Sequence, residues 1–355
     1  MYKHGIYPLE ANTTGPASLG TAIRHIPLVL DICKDIEQIC PEAWLILDNN
    51  PLAKLISAVN KYTDIRCVGY CSGHEFVEIA IEQILDMSHA SESTRNESSI
   101  EREFMVPAGN IDITVAGINH FQWVLDIKNS KNGEDLYPML REQIIKKPQM
   151  IPDAYKYSAE VCKIFGWFPS PADNHISDYL WFVDNEVQKL YQLKRLAIEK
   201  WFGNRDANDW EKITANIKDK EDARNFISRR RTGWLNLQIP RFLMKSKKNY
   251  FPSINIINKC SISNLDPNIV VEVPAVIGSN NVNAVNVGNL PEHLVPICSL
   301  HGMLSNLIAE AAVNGSKELA FQALLLDPVV PNMIIARKLL DDILDYNKKY
   351  ETRFV

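Results

Sequence analysis

Dense cysteine, an excess of positive charge and a signal-like leader are all missing from this chain, and each absence narrows what it can be. Seven cysteines, at 33, 40, 67, 71, 162, 260 and 298, are scattered over 355 residues. A secreted disulfide framework is far denser, so a reduced, cytoplasmic protein is expected. Net charge is −5 at pH 7. No long-range field draws such a chain to nucleic acid or anionic lipid, and neither is expected as a partner. Met1-Tyr2-Lys3-His4-Gly5 has no apolar signal core, and no apolar run approaches membrane-spanning length. Internal repeats, low-complexity tracts and a glycine-rich strand-to-helix turn of the dinucleotide type are also missing. What is present is a chain that is 46% hydrophobic, enough for a large core and two domains.

The first third alternates helix and buried strand. Val29, Ile32, Cys33, Ile36 and Ile39 recur at helical spacing, with Pro27 read as a first-turn proline. Ala43-Trp44-Leu45-Ile46-Leu47 is a short continuous apolar run, which suits a parallel strand covered on both faces. Asp48-Asn49-Asn50-Pro51 closes it, and Leu52, Leu55, Ile56 and Val59 mark the next helix. Residues 65–69 read as a second strand, followed by a loop to His74 and a helix carrying Phe76, Ile79, Ala80 and Ile84. This is the grammar of a doubly wound α/β sheet, where ligands gather at the carboxyl ends of strands. Asn50 and Cys71 both lie at such ends. The polar residues 88–102 read as an exposed loop. Beyond it, Ile111, Ile113 and Val115, then Phe121, Trp123, Leu125 and Ile127, alternate as antiparallel strands with one solvated face do. The expected architecture is therefore an incomplete Rossmann-like domain, residues 1–108, followed by a mixed α+β domain, residues 109–355. Helices are expected at 184–202, 295–314 and 331–346, and a strand near 269–276.

Three places stand out for chemistry. Cys71, in Gly69-Tyr70-Cys71-Ser72-Gly73-His74, offers a thiolate, a good ligand for borderline divalent metals. Taken alone, a cysteine after a strand is more often a small buried hydrophobe. Asn119-His120 puts two polar side chains between two apolar strands, where desolvation is costly unless they are used or hydrogen-bonded. Cys71 and His120 are too distant for a local finger, so the fold must assemble any shared metal site. Two protein ligands would leave positions open, as catalytic metals require. Pro171-Ala172-Asp173-Asn174-His175-Ile176-Ser177-Asp178-Tyr179 offers Asp173 as a general base and His175 as a substrate or metal contact; the plainer reading is a solvated loop with a helix cap. Arg229-Arg230-Arg231 with Lys245, Lys247 and Lys248 could meet an acidic sugar, though a solvated helix face explains them more simply.

Together these motifs resemble glycoside hydrolase family four, especially its α-galactosidase and α-galacturonidase branches. Thr13-Thr14-Gly15-Pro16 through Arg24 to Pro27 is similar to the family's T-x-G-P-G-G-x-x-R-x-L-R-x-x-P segment, and Cys40-Pro41-Glu42-Ala43-Trp44 with Asn50-Pro51 to its C-P-D/E-A/S-W and N-P strand. Gly69-Tyr70-Cys71 resembles the metal-cysteine turn, and Gly117-Ile118-Asn119-His120 the metal-histidine motif. Asp173, His175, Asp178 and Tyr179 resemble D-x-H-x-x-E-Y/F. Glu272-Val273, Gly288-Asn289-Leu290-Pro291, Glu310-Ala311-Ala312 and Asp327-Pro328 resemble the C-terminal signature, so the likeness runs from end to end.

The resemblance implies a small sugar substrate, an α-glycoside or α-uronide, with NAD and a divalent metal, usually Mn2+, as cofactors. NAD takes hydride from sugar C3, the metal polarises the oxygens on C2 and C3, a base removes the C2 proton, and the glycosidic bond breaks by elimination. Carried over by position, Cys71 and His120 hold the metal and Asp173 is the base. Asn50, Asn119 and His175 orient the sugar, and Asn50 and Arg24 meet the cofactor. Three departures follow. Family members open with a strand, a glycine-rich turn and an acidic residue that this sequence does not contain, so an N-terminal truncation, a split gene or a degenerate copy is expected. Ser72 follows the metal cysteine where the family has His, Asp or Asn, which leaves His74 as the acid candidate. Ala17-Ser18 and Thr21 replace a glycine pair and an arginine. The alternatives are a lactate- or malate-type oxidoreductase and an inactive paralogue kept as a binding subunit. An open sheet edge would favour a homo-oligomer.

Overall fold

The computed structural model describes residues 1–10, 12–87, 109–193, 234–350 and 353–354. Helix α1 spans Gly15–Ile39 and opens with Pro16 in its first turn, so Pro27 lies inside the helix. This corrects the sequence reading. The small residues Ser18, Gly20 and Ala22 are as buried as Leu19 and Ile23, and such a face escapes a search for large apolar side chains. Strand β1 (Trp44–Leu47), helix α2 (Leu52–Tyr62), strand β2 (Arg66–Gly69) and helix α3 (Gly73–Ile84) follow as the periodicity requires. β1 and β2 pair in parallel. Ile23, Ile26, Leu55, Ile56 and Val59 pack beneath them with Ile308, Ala312 and Leu339 from the far end of the chain.

Strands β3 (Ile111–Ile118) and β4 (Phe121–Asn129) form a hairpin whose two-residue turn is Asn119-His120. His120 adopts φ 62° to close it. Gly117 is needed for close approach, since a Cβ there would lie 2.6 Å from the Phe121 carbonyl oxygen. Helices α4 (Tyr137–Lys146) and α5 (Lys156–Phe165) lead to the short strand β5 (Phe168–Ser170), the one-turn helix α6 (Asp173–Ile176) and α7 (Asn185–Leu190). Then come α8 (Trp234–Leu243), β6 (Asn249–Ile257), β7 (Val270–Gly278) and β8 (Asn281–Ala284). Helices α9 (Val295–Asn314), α10 (Lys317–Leu326) and α11 (Met333–Asn347) end the described chain. Of the expected helix at 184–202 only α7 is described, and residues 88–102 and Arg229-Arg230-Arg231 lie outside the described residues.

Among the described residues the strands form one sheet in the order β1-β2-β6-β7-β3-β4-β5, with β8 on β7. Only β1 and β2 run parallel; the other pairings are antiparallel. The fold class is thus α/β, with an incomplete Rossmann-like part followed by a mixed α+β part, and the sheet runs unbroken from one into the other through Gly69 and Asn255. All seven cysteines are unpaired. One expectation fails. The stretch Glu292–Asn314 is long and apolar enough to cross a membrane by length and composition, with 56% of its most apolar window buried inside the protein. Scattered polar residues hid it from a search for uninterrupted runs.

Candidate functional site

The register of the sheet assembles a polar row that no local motif reveals. Gly69 pairs with Asn255, Asn255 with Glu272, Glu272 with Gly117, Gly117 with Gln122, and Gln122 with Ser170. Directly paired residues share a face of a sheet. Asn255, Glu272, Gln122 and Ser170 therefore line up across β6, β7, β4 and β5, all of them buried. Both glycines sit in close contacts: a Cβ at Gly69 would lie 2.5 Å from the Ile56 side chain, and one at Gly117 2.6 Å from the Phe121 carbonyl oxygen. Cys71 leaves β2 beside it and the Asn119-His120 turn closes over it.

Glu272 is the centre. Its Oε1 accepts the Ser253 hydroxyl at 2.7 Å and its Oε2 accepts the Asn119 amide at 3.1 Å. Burial pushes its carboxyl up to about 7, and the bonds from Ser253 and Asn119 oppose that rise. Asn119 also meets Cys71, whose thiol burial holds well above its ordinary value, reinforced by the charge of Glu272. The Tyr179 hydroxyl donates to the Asn119 carbonyl at 2.7 Å, and the Ser170 hydroxyl to Gln122 Oε1 at 3.0 Å. The rings of His120 and His175 meet edge to face at 4.7 Å. Burial lowers His120 to about 4 and His175 further still, with His120 adding to the effect. Nδ1 of each ring, Gln122 Nε2 and both amide atoms of Asn255 are buried without a hydrogen-bond partner. Buried polar atoms are normally paired, so this many orphans in one place marks a site built to receive something.

The contacts thus link Asn119 with Cys71 and His120 with His175, while four other candidate residues are engaged as follows. Asp173 has its oxygens taken by the Tyr157 and Ser158 amides at 2.8 and 2.7 Å and by the Ser158 hydroxyl at 2.6 Å. It caps the start of α5, and burial pushes its carboxyl up to about 7. His74 is buried on α3, 3.8 Å from Glu78 and lowered to about 4 by burial. Arg24 donates to Asn347 at 2.6 Å and to the Gly20 carbonyl at 3.1 Å, with Tyr346 and Tyr350 under its guanidinium, so it is tied to α11. Asn50 ends the loop after β1, and its carbonyl accepts from His25 at 3.1 Å. Glu272 went unnominated although a signal was present. A glutamate inside the apolar run of β7 must be buried, and a buried acid needs partners.

A sulfur and an imidazole nitrogen suit a borderline divalent cation, and the unpaired His120 Nδ1 shows donor capacity without an internal use. No three His, Cys, Asp or Glu side chains among the described residues gather to hold a metal alone. Any cation at Cys71 and His120 would therefore keep open positions. For a dinucleotide the described residues offer no glycine-rich cradle, and Asn50, after the carboxyl end of β1, is the residue there that could meet one.

A row of buried polar side chains at the strand ends of a Rossmann-like sheet is the architecture of an enzyme that acts on small polar molecules. The family follows from the sequence as a whole. Residues 1–87 match the model of the Family 4 glycosyl hydrolases and residues 115–330 that of the Family 4 glycosyl hydrolase C-terminal domain, and the chain belongs to this family. It is 26% identical over 329 residues to the Alpha-galactosidase of Bacillus subtilis (strain 168), covering 92% of this chain and 70% of that protein. It is 27% identical over 372 residues to the Alpha-galacturonidase of Thermoanaerobacter italicus (strain DSM 9252 / Ab9), covering 98% of this chain and 76% of that protein. A 6-phospho-alpha-glucosidase from gut microorganisms, solved with NAD and Mn2+, superposes with a TM-score of 0.69 at 19% identity, covering 96% of this chain and 74% of that one. It has the same fold.

Proposed function

We propose that this chain acts as a glycosidase on an α-glycoside or α-uronide, working with NAD and a divalent metal such as Mn2+. The observation that carries the reading is the meeting of Cys71, Asn119 and Glu272 beside the unpaired His120 Nδ1. Cys71 and His120 are the two metal-holding residues. A divalent cation there would polarise adjacent sugar oxygens and acidify the C2 proton once C3 is oxidised. Asn119 has its amide nitrogen engaged by Glu272, which leaves its side-chain oxygen to accept a sugar hydroxyl. His175, packed on His120, borders the sugar. Asn50 faces the cofactor side from the end of β1. Asp173 is better read as holding α5 against the turn that carries His175 than as the base, because three donors already occupy its oxygens.

The same proposal includes a division near residue 108, which the separate family matches to 1–87 and 115–330 support, a homo-oligomer favoured by β1 lying at the sheet edge among the described residues, and a cytoplasmic setting. The experiment is turnover of a panel of 4-nitrophenyl α-glycosides and α-uronides by the purified chain with NAD and Mn2+. Release of 4-nitrophenol that stops on chelation, and slows when the sugar C2 carries deuterium, is the expected result. Metal-independent release, or release indifferent to C2 deuteration, overturns the reading.

A further inference from the structure

The reading above uses Cys71, His120 and Asn119 and leaves unexplained the carboxylate at the centre of the row. Glu272 is wholly buried on an otherwise apolar strand, and its hydrogen-bond partners among the described residues, Ser253 and Asn119, are neutral. An acid kept in that setting stabilises nothing by charge, because burial of an uncompensated carboxylate is costly. Its geometry is what remains to account for it. The Asn119 amide donates to Oε2 of Glu272 at 3.1 Å, and Asn119 stands near enough to Cys71 to favour its thiolate against the effect of burial. The backbone of Asn119 is clamped independently by Tyr179 at 2.7 Å. With Ser253 fixing the other carboxylate oxygen at 2.7 Å, neither end of the chain of contacts is free to turn.

We propose that Glu272 is a positioning residue of the metal site: by holding the Asn119 amide it fixes the direction of the Cys71 sulfur and aims the Asn119 oxygen into the cleft. This rests on the assignment of Cys71 as a ligand and adds to it an outer partner supplied by β7. Partners of this kind orient ligands and tune affinity without touching the cation. What matters is an oxygen at the place of Oε2. The negative charge does not.

That distinction sets the test, with Co2+ alone as the probe on the full chain, read by its sulfur-to-metal absorption band and by titration. Glu272→Gln keeps an oxygen where Asn119 donates and removes the charge. Glu272→Asp keeps the charge and withdraws the oxygens by one methylene. The Gln variant is expected to show the band and affinity of the unaltered chain. The Asp variant is expected to bind Co2+ about tenfold to hundredfold more weakly, the range for losing an outer partner. An Asp variant that binds as tightly as the unaltered chain overturns the proposal, and so does a folded Gln variant whose band is lost. Should the Asp variant fail to fold, the Gln result decides by itself. Cys71→Ser runs alongside: a band that survives it removes the metal-site assignment itself, which is a different failure from a band that responds to Cys71 and ignores Glu272.

Discussion

Two buried polar regions lie close together in this protein and keep their groups very differently. One, between α2, α9 and the segment before α1, holds Lys54, Asp327, Thr13, Thr14 and His301. Lys54 donates to the Thr13 carbonyl at 2.8 Å within reach of the Asp327 charge, and burial lowers it to about 8. His301 uses both ring nitrogens, on Thr14 at 3.2 Å and on the Tyr179 carbonyl at 2.9 Å. The Thr13 hydroxyl is the exception to a region otherwise paired. The other region is the row around Glu272, where the half-buried His120 has an idle Nδ1 and the buried Asn255 has two idle atoms. Burial lowers both histidines to about 4. The same direction of shift thus accompanies two different arrangements, a histidine with both nitrogens engaged and one with an idle Nδ1.

The sharpest way to break this contrast is to damage the paired region and look for an effect on the other. Lys54→Met leaves the buried Asp327 uncompensated and should cost about 3–5 kcal/mol in chemical denaturation, with Co2+ affinity unchanged. A matching loss of metal binding would merge the two regions into one. Acid should act next. His301 has a folded pKa of about 4, below its ordinary 6.5, so its contribution is complete above pH 6.5 and disappears as pH falls to about 4. That limb amounts to up to about 3 kcal/mol, and His301→Gln, which keeps a donor and an acceptor, should flatten it in pH-dependent melting. Cys71→Ser tests the opposite corner. It should weaken Co2+ by more than the roughly tenfold to hundredfold of an outer partner while the denaturation midpoint without metal stays in place. Last, Asp173→Asn should lose about 1–2 kcal/mol of stability, as a weakened helix cap does, and retain most of its turnover. A variant that folds as well as the parent and is catalytically dead would return Asp173 to the role of base.

Much of the fold was legible because it rests on periodicity. β1, α2, β2, α3, the β3–β4 hairpin and α9 all declare their pattern, and the polar pair at the hairpin turn pointed to the site. What was hidden depends on distance along the chain or on small side chains. The early start of α1 is written in Ser18, Gly20 and Ala22, whose buried face resembles a polar segment. β6 joins the two halves of the sheet, yet its Asn, Ser and Pro obscure the alternation. Glu272 and Asn255 acquire meaning only through cross-strand pairing, and the partners of Asp173 could not be named because the amides that bind it lie in a separate helix.

The lateral alignment of Gly69, Asn255, Glu272, Gly117, Gln122 and Ser170 also makes the candidate site a check on folding. If β6 and β7 slipped by a single position, each of these side chains would swing to the reverse face of the sheet. Such a misfold could retain its helices and most of its compactness while having no centre at all. Metal capture would then report, molecule by molecule, whether strands far apart in synthesis had found their proper neighbours.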